Sequence, residues 1–236
     1  MILHKRHEKQ RILTPIAYIR NDFKEKFGIP RQSGRVNTLL SRIVFEKPYG
    51  ARDAFREIEG FSHLWLIFDF SLVRDGEFSP TVRPPRLGGN RRVGVFASRS
   101  PFRPNRLGLS SVRLVAVEES ESGVELVVAG ADLLDGTPIY DIKPYLPFSD
   151  CHPDALGGYA DGERGHRLAV TFEESILDPL PSDKREALIA CLADDPRPSY
   201  QDDPRRVYRM RFSDFDVGFT VEGETLTVTE LVRCSE

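Results

Sequence analysis

Phe61-Ser-His-Leu-Trp-Leu-Ile-Phe-Asp-Phe70 is apolar except at Ser62, His63 and Asp69. It is too short for a membrane span, which needs about 20 residues, and it has the length and continuity of a buried central strand. Upstream, Ile16–Arg20 reads as a strand. Residues 24–35 contain Gly28, Pro30 and Gly34 and read as a loop, and Val36–Phe45 reads as extended. Ala54, Phe55 and Ile58 share helical spacing within 51–58, ahead of Gly60. Downstream, Arg92–Arg99, Leu107–Val117, Val124–Ala131 and Ile139–Ile142 read as further strands. Many short strands with few helices predict a mixed or closed β-barrel.

The pattern changes beyond residue 150. Gly157, Gly158 and Gly162 loosen the chain and set a boundary near residues 150–165. A helix is predicted over Ser182–Leu192, capped by Ser182 and ended by Pro196 and Pro198. Val207–Phe212, Phe215–Val221 and Thr225–Val232 alternate as strands do, with a tight turn at Glu222-Gly-Glu224. The expected fold is mainly β, with an N-terminal barrel over residues 14–150 and a small α+β domain over 165–236. Residues 1 to about 12 read as a frayed tail.

The 236 residues, 40% hydrophobic and 29% charged, suit a globular protein, and 15 Phe and 7 Tyr supply a core. The N-terminus has no signal-peptide pattern, so a cytoplasmic location is expected. Cys151, Cys191 and Cys234 stand far apart, and neither they nor the five His show metal-ligand spacing. Reduced thiols and no metal are expected.

Net charge is −3, but it is unevenly spread. Residues 78–117 hold Arg83, Arg86, Arg91, Arg92, Arg99, Arg103, Arg106 and Arg113 with no lysine and no acid. That stretch is +8, which leaves −11 elsewhere. Guanidinium grips phosphate with a planar fork and stacks on bases, which favours an anionic partner over a merely solvated surface. Pro84, Pro85, Pro101 and Pro104 stiffen the same loops, as a preformed site would require. The plainer alternative is that these arginines pair with carboxylates from elsewhere and the prolines only end strands.

Dinucleotide, P-loop, HExxH and GxSxG fingerprints are absent. Asp135-Gly136 is a turn signal, but it leaves Asp132, Asp141 and Lys143 unexplained. Carboxylates beside a positive loop are its counterions or part of its site.

Six ordered segments carry a resemblance: Pro30-Arg-Gln-Ser-Gly34, Gly60-Phe-Ser-His-Leu-Trp65, residues 81–90, Gly94-Val-Phe-Ala-Ser-Arg-Ser100, Phe102-Arg-Pro-Asn105, and Asp135-Gly-Thr-Pro138 through Asp141-Ile-Lys-Pro-Tyr145. Together they resemble the TrmO (YaeB, TsaA-like) family. Asp195-Pro-Arg-Pro-Ser-Tyr200 and Asp214-Phe215 resemble its small C-terminal domain. The resemblance implies a single-sheeted β-barrel and a homodimer. It also implies an S-adenosylmethionine-dependent enzyme that methylates N6 of N6-threonylcarbamoyladenosine at position 37, in the anticodon loop of tRNA.

By the same resemblance, the cofactor contacts are Pro30, Arg31, Gln32, Phe70, Ser71, Arg99, Leu109, Asp132, Leu133, Leu134 and Asp135. Arg83, Arg86, Arg91, Arg92, Arg103 and Arg106 are then the RNA contacts. Ser71 stands where the family often has His, and Arg106 where it often has Pro. Asp132, Asp135 and Tyr145 are the candidates for a base. Two rival readings are a non-catalytic RNA-binding barrel and an enzyme that clamps a small phosphorylated metabolite.

Overall fold

The computed structural model describes residues 12–74, 78–84, 91–163, 166–198, 201 and 203–234. Arg86 lies outside them. Strands dominate. β1 (Ala17–Arg20), β2 (Leu40–Phe45), β3 (His63–Asp69), β6 (Leu107–Ser120), β7 (Gly123–Ala129) and β8 (Pro138–Pro144) run in the order β1-β2-β7-β6-β3-β8, and β8 returns to β1 to close the ring. β6 serves two neighbours. Its first half pairs with β3 and its second half with β7, with an irregularity between Leu114 and Ala116 where it turns from one to the other.

Period-2 alternation decides which side chains fill the barrel. Leu64, Leu66 and Phe68 of β3 point inward and meet Ala17, Ile19, Ile43, Val112, Leu126, Val128 and Ile139. The run from residue 61 to 70 is thus a central strand, but only alternate residues are fully buried. Gly108 of β6 faces Phe68 closely: a Cβ there would stand 2.2 Å from the tip of the ring. Phe68 is held in turn by an edge-on contact with Phe70, centroids 5.2 Å apart. Gly108→Ala must therefore displace a core ring. We expect it to lower stability by about 1–3 kcal/mol, measured as a shift in thermal unfolding midpoint.

Two expected elements differ. A strand over Arg92–Arg99 is reduced to β5 (Val93–Gly94), paired only with β4 (Thr81–Val82), after which the chain turns as a 3-10 helix over Val95–Ala97. The helix over residues 51–58 is two 3-10 turns, Arg52–Phe55 and Ile58–Gly60, separated at Glu57 by a left-handed φ of 68°. Phe55 remains its buried anchor, edge-on to Phe45 at 4.7 Å.

The C-terminal part is a second sheet in the order β10 (Tyr208–Phe212), β11 (Phe215–Glu222), β12 (Thr225–Arg233) and β9 (Ala169–Thr171). β9 pairs parallel to β12 and was not expected from the sequence. A short helix, α1 (Pro147–Asp150), follows the barrel. Helix α2 (Ser182–Ala193) buries Ala187, Leu188, Cys191 and Leu192. Ser182 is the first residue of α2 and makes no cap; Pro181 holds the cap position without a side-chain bond.

The core around this sheet also takes in Phe23, Val36 and Leu39 from the long connection between β1 and β2. That connection is fastened by Lys184 to Asp22 at 2.6 Å, by the Ser213 amide to the Asp22 carbonyl at 2.8 Å, and by the Arg211 amide to Glu25 at 2.7 Å.

Candidate active site

One rim of the barrel opens into a cleft of about 1660 Å³. Four pieces of chain build its walls. The β1–β2 connection brings Pro30, Arg31 and Gln32. The end of β3 brings Phe68, Asp69, Phe70 and Ser71. The segment after β7 brings Asp132, Leu133 and Leu134. The cationic loops bring Arg83, Arg92, Phe96, Arg99 and Phe102. Tyr159, Pro196 and Pro198 add a border from the C-terminal part.

Asp132 is the central ionisable group. Burial pushes its carboxyl above the ordinary range. Opposing this are the Ser110 hydroxyl, which donates to Oδ1 at 2.6 Å, its own backbone, the Arg99 guanidinium and the Ser33 amide. Burial outweighs these, and the net shift is upward. Arg99 also donates to the Gln32 side chain, which joins the β1–β2 connection to the cationic loop.

Asp69, at the end of β3, is a second cleft carboxylate. It lies 3.7 Å from Arg106. Burial, and after it the charge of Asp69, pushes the Tyr140 phenol up. Sequence reasoning noted Asp69 only as a break in an apolar run, and that break was its signal.

The β1–β2 connection is held from behind. Arg31 donates to the Arg197 carbonyl, and Arg35 pairs with the buried Asp194. Arg197 is gripped by Asp195 at 3.0 Å. Residues 195–198 thus reach the cleft through the loop they fasten.

Not every candidate converges here. Leu109 is 54% exposed on the outer face of β6, opposite Ile67; its neighbour Ser110 points inward to Asp132. A shift of one residue inverts a strand's faces, so Ser110 is the residue of that pair that meets Asp132. Asp135 lies on the far side of its loop, where it accepts from the Asn21 amide and from Lys24, both at 2.9 Å. Tyr145 sits at the other end of β3, tilted against Trp65 with ring centroids 5.5 Å apart, and its amide donates to the His63 carbonyl. Asp132 is bonded to Ser110, which pairs with Leu66 midway along β3, whereas Tyr145 is at the level of His63 and is not among the residues that line the cleft.

The arginines divide. Arg83 and Arg92 line the cleft and are exposed. Arg92 reaches the Thr81 hydroxyl at 3.0 Å, and Arg91 is exposed beside it. Arg103 instead donates to the carbonyls of Val95 at 3.2 Å and Ser98 at 2.7 Å, and Arg106 donates to the Val73 carbonyl. Those two hold loops in shape.

Among the described residues, no three His, Cys, Asp or Glu side chains gather as a metal would require, and no helix is long and apolar enough to cross a membrane.

The cleft's sequence segments recur in known proteins. The tRNA-methyltransferase O N-terminal domain family matches residues 18–151, and the TrmO C-terminal domain family matches residues 165–234. A tRNA (adenine(37)-N6)-methyltransferase of Escherichia coli is 43% identical over 214 residues, covering 87% of this chain and 91% of its own. One of the same name from Eikenella corrodens is 51% identical over 162 residues, covering 69% and 92%. A crystal structure of TrmO from Pseudomonas aeruginosa superposes with a TM-score of 0.76 at 33% identity, over 94% of this chain and 99% of its own.

Proposed function

From the premise that this chain belongs to the tRNA-methyltransferase O family, we propose that it is an S-adenosylmethionine-dependent enzyme that methylates N6 of adenine 37 in tRNA. We take the acceptor to be the N6-threonylcarbamoyl form of that base. The observation that carries the reading is the half-buried Asp132, with its raised pKa, in a cleft rimmed by Arg83, Arg92 and Arg99. Relatives named as S-adenosylmethionine-dependent methyltransferases and as a binding protein for that molecule support the donor.

The lining fits such a donor. Asp132 offers an anion to its cationic end, Arg99 a cation to its carboxylate, and Ile29, Phe70, Leu133 and Leu134 an apolar wall to its adenine. When bound, the donor supplies an activated methyl group. The chain's own residues must orient the acceptor and remove its proton. The acceptor nitrogen is weakly basic, because its lone pair is shared with the ring and with a carbonyl, so its proton has to leave as the new bond forms. A carboxylate with a raised pKa is a better proton acceptor than an ordinary one. Of the three candidates, Asp132 is the one placed in the cleft for that task. Tyr145 is ill suited within one protomer, since desolvation pushes its phenol up as well.

We assign residues 14–150 to a barrel-type catalytic domain and residues 165–236 to a domain that braces the β1–β2 connection, supported by the two hydrophobic clusters. The exposed Leu109 beside Ile67 on the outer face supports a homodimer, and the tRNA substrate supports a cytoplasmic location. The test is transfer of labelled methyl groups from S-adenosylmethionine to tRNA with and without the threonylcarbamoyl group. Labelling of the modified tRNA alone is expected. Labelling at another nucleotide, or none, contradicts the assignment.

A further inference from the structure

Phe96 stands apart from the rest of the aromatic inventory. It is 76% exposed, yet it sits on the cleft wall, in a turn of the cationic loops that is fastened on both sides. On one side of it Val95 is buried, and the Val95 amide bonds to the Pro80 carbonyl at 3.0 Å. On the other, the Ser98 hydroxyl returns to the Val95 carbonyl at 2.8 Å. Arg103 donates to both the Val95 and Ser98 carbonyls, and its guanidinium lies 5.8 Å from the Phe96 ring centre. The turn is therefore fixed while the ring it presents is left to solvent. Phe102, 39% exposed, lines the same cleft. Around them are Arg83, Arg92 and Arg99, within a stretch that holds no acid.

An apolar ring kept in water by a rigid turn wants a flat partner, and the surrounding charge selects an anionic one. A peptide or lipid tail would satisfy the ring but not the arginines. A free phosphate would satisfy the arginines but not the ring. An unpaired nucleotide satisfies both, since its base stacks on an aromatic face while its phosphate meets guanidinium. We propose that Phe96 is a stacking platform for an unpaired base of the anticodon loop next to the one being methylated. Arg103 acts as the positioning residue that fixes the ring's turn. This inference rests on the tRNA-methylation reading and adds to it how the loop is splayed open at the cleft.

The test uses full-length protein and an anticodon stem-loop RNA carrying 2-aminopurine beside the target adenine. Binding to the wild type is expected to change the probe's emission as the base restacks on Phe96. Phe96→Ala should weaken binding about ten- to a hundredfold with an unaltered salt slope, because stacking releases no counterions. Phe96→Trp should restore binding. Affinity for S-adenosylmethionine and the sedimentation coefficient should not move in either variant. Equal affinity of Phe96→Ala and wild type for the RNA would overturn the proposal. So would a parallel loss of donor binding, which would put the ring in the donor pocket, or a change in subunit association, which would put it in an interface between copies. Failure of the wild type to bind the stem-loop would instead sink the tRNA reading itself.

Discussion

Asp132→Asn should lower the rate of methyl transfer by about two to four orders of magnitude and leave the protein no less stable than the wild type at neutral pH. The two expectations share one cause. Burial raises the folded pKa of Asp132 above its ordinary value. Below that ordinary value both folded and unfolded chains hold the proton, and the group has no effect on stability. As pH rises through the ordinary value, the unfolded chain releases the proton and the folded chain keeps it. Stability therefore falls with rising pH until the raised pKa is passed, and is constant beyond it. Asparagine removes this cost while its carbonyl can still accept from Ser110 Oγ.

The catalytic rate has the opposite dependence on pH. It needs the carboxylate, so it climbs through a midpoint above the usual carboxylate range, and the Asn variant loses that limb. Rate–pH profiles and thermal unfolding of both proteins check this. An Asp132→Asn enzyme that keeps its turnover and its rising limb removes Asp132 from the chemistry. Asp135→Asn is the matched control. It removes the ion pair with Lys24 while its carbonyl can still accept from the Asn21 amide, both outside the cleft, so it should cost little stability and little turnover.

The second large effect concerns RNA affinity. Arg83→Ala combined with Arg92→Ala should weaken tRNA binding at least tenfold at low salt. It should also flatten the dependence of log affinity on log salt by about 1 for each phosphate that no longer meets a guanidinium. Both side chains are exposed on the cleft wall, and the Arg92 guanidinium reaches Thr81 through one nitrogen, which leaves its others facing the cleft. Arg103→Ala serves as the contrast. Its bonds to Val95 and Ser98 are internal, so its loss should appear first as a lower unfolding midpoint of the loop. Titrations at several salt concentrations separate the two kinds of arginine. Parallel lines for the double variant and wild type would make Arg83 and Arg92 structural.

The sequence was legible where pattern is local. β3, β6, β7 and β8 and the C-terminal strands follow alternation and length, and the cationic loops follow from composition. It was less legible where partners decide. Residues 92–99 have strand-like side chains, but only Thr81–Val82 lies beside them, so two residues pair and the rest turn. Residues 51–58 have helical spacing, but the left-handed Glu57 divides them. The division near residue 150 missed that Phe23, Val36 and Leu39 complete the C-terminal core.

In the site, residue identity outran orientation. Asp132, Gln32, Arg99 and Phe70 meet as the segments suggested. Leu109 came from the resemblance, and the fold turns it outward while its neighbour Ser110 faces Asp132; parity along a strand cannot be fixed before the inside of the barrel is known. Asp135 and Tyr145 share motifs with Asp132 but not its side of the fold. Asp69 and Phe96 were in plain view, one as an acid inside an apolar run and the other as an aromatic inside an arginine loop. What was missing was the fold that points both at one cleft.

The central claim is that the Asp132 cleft methylates N6 of adenine 37 in tRNA. It is tested most directly by mass spectrometry of tRNA nucleosides from cells lacking the gene, complemented with wild type or with Asp132→Asn. The account predicts that the N6-methylated threonylcarbamoyl nucleoside is absent without the gene, restored by the wild type, and not restored by the variant present at equal abundance. Persistence of that nucleoside without the gene, or its full restoration by Asp132→Asn, would contradict it.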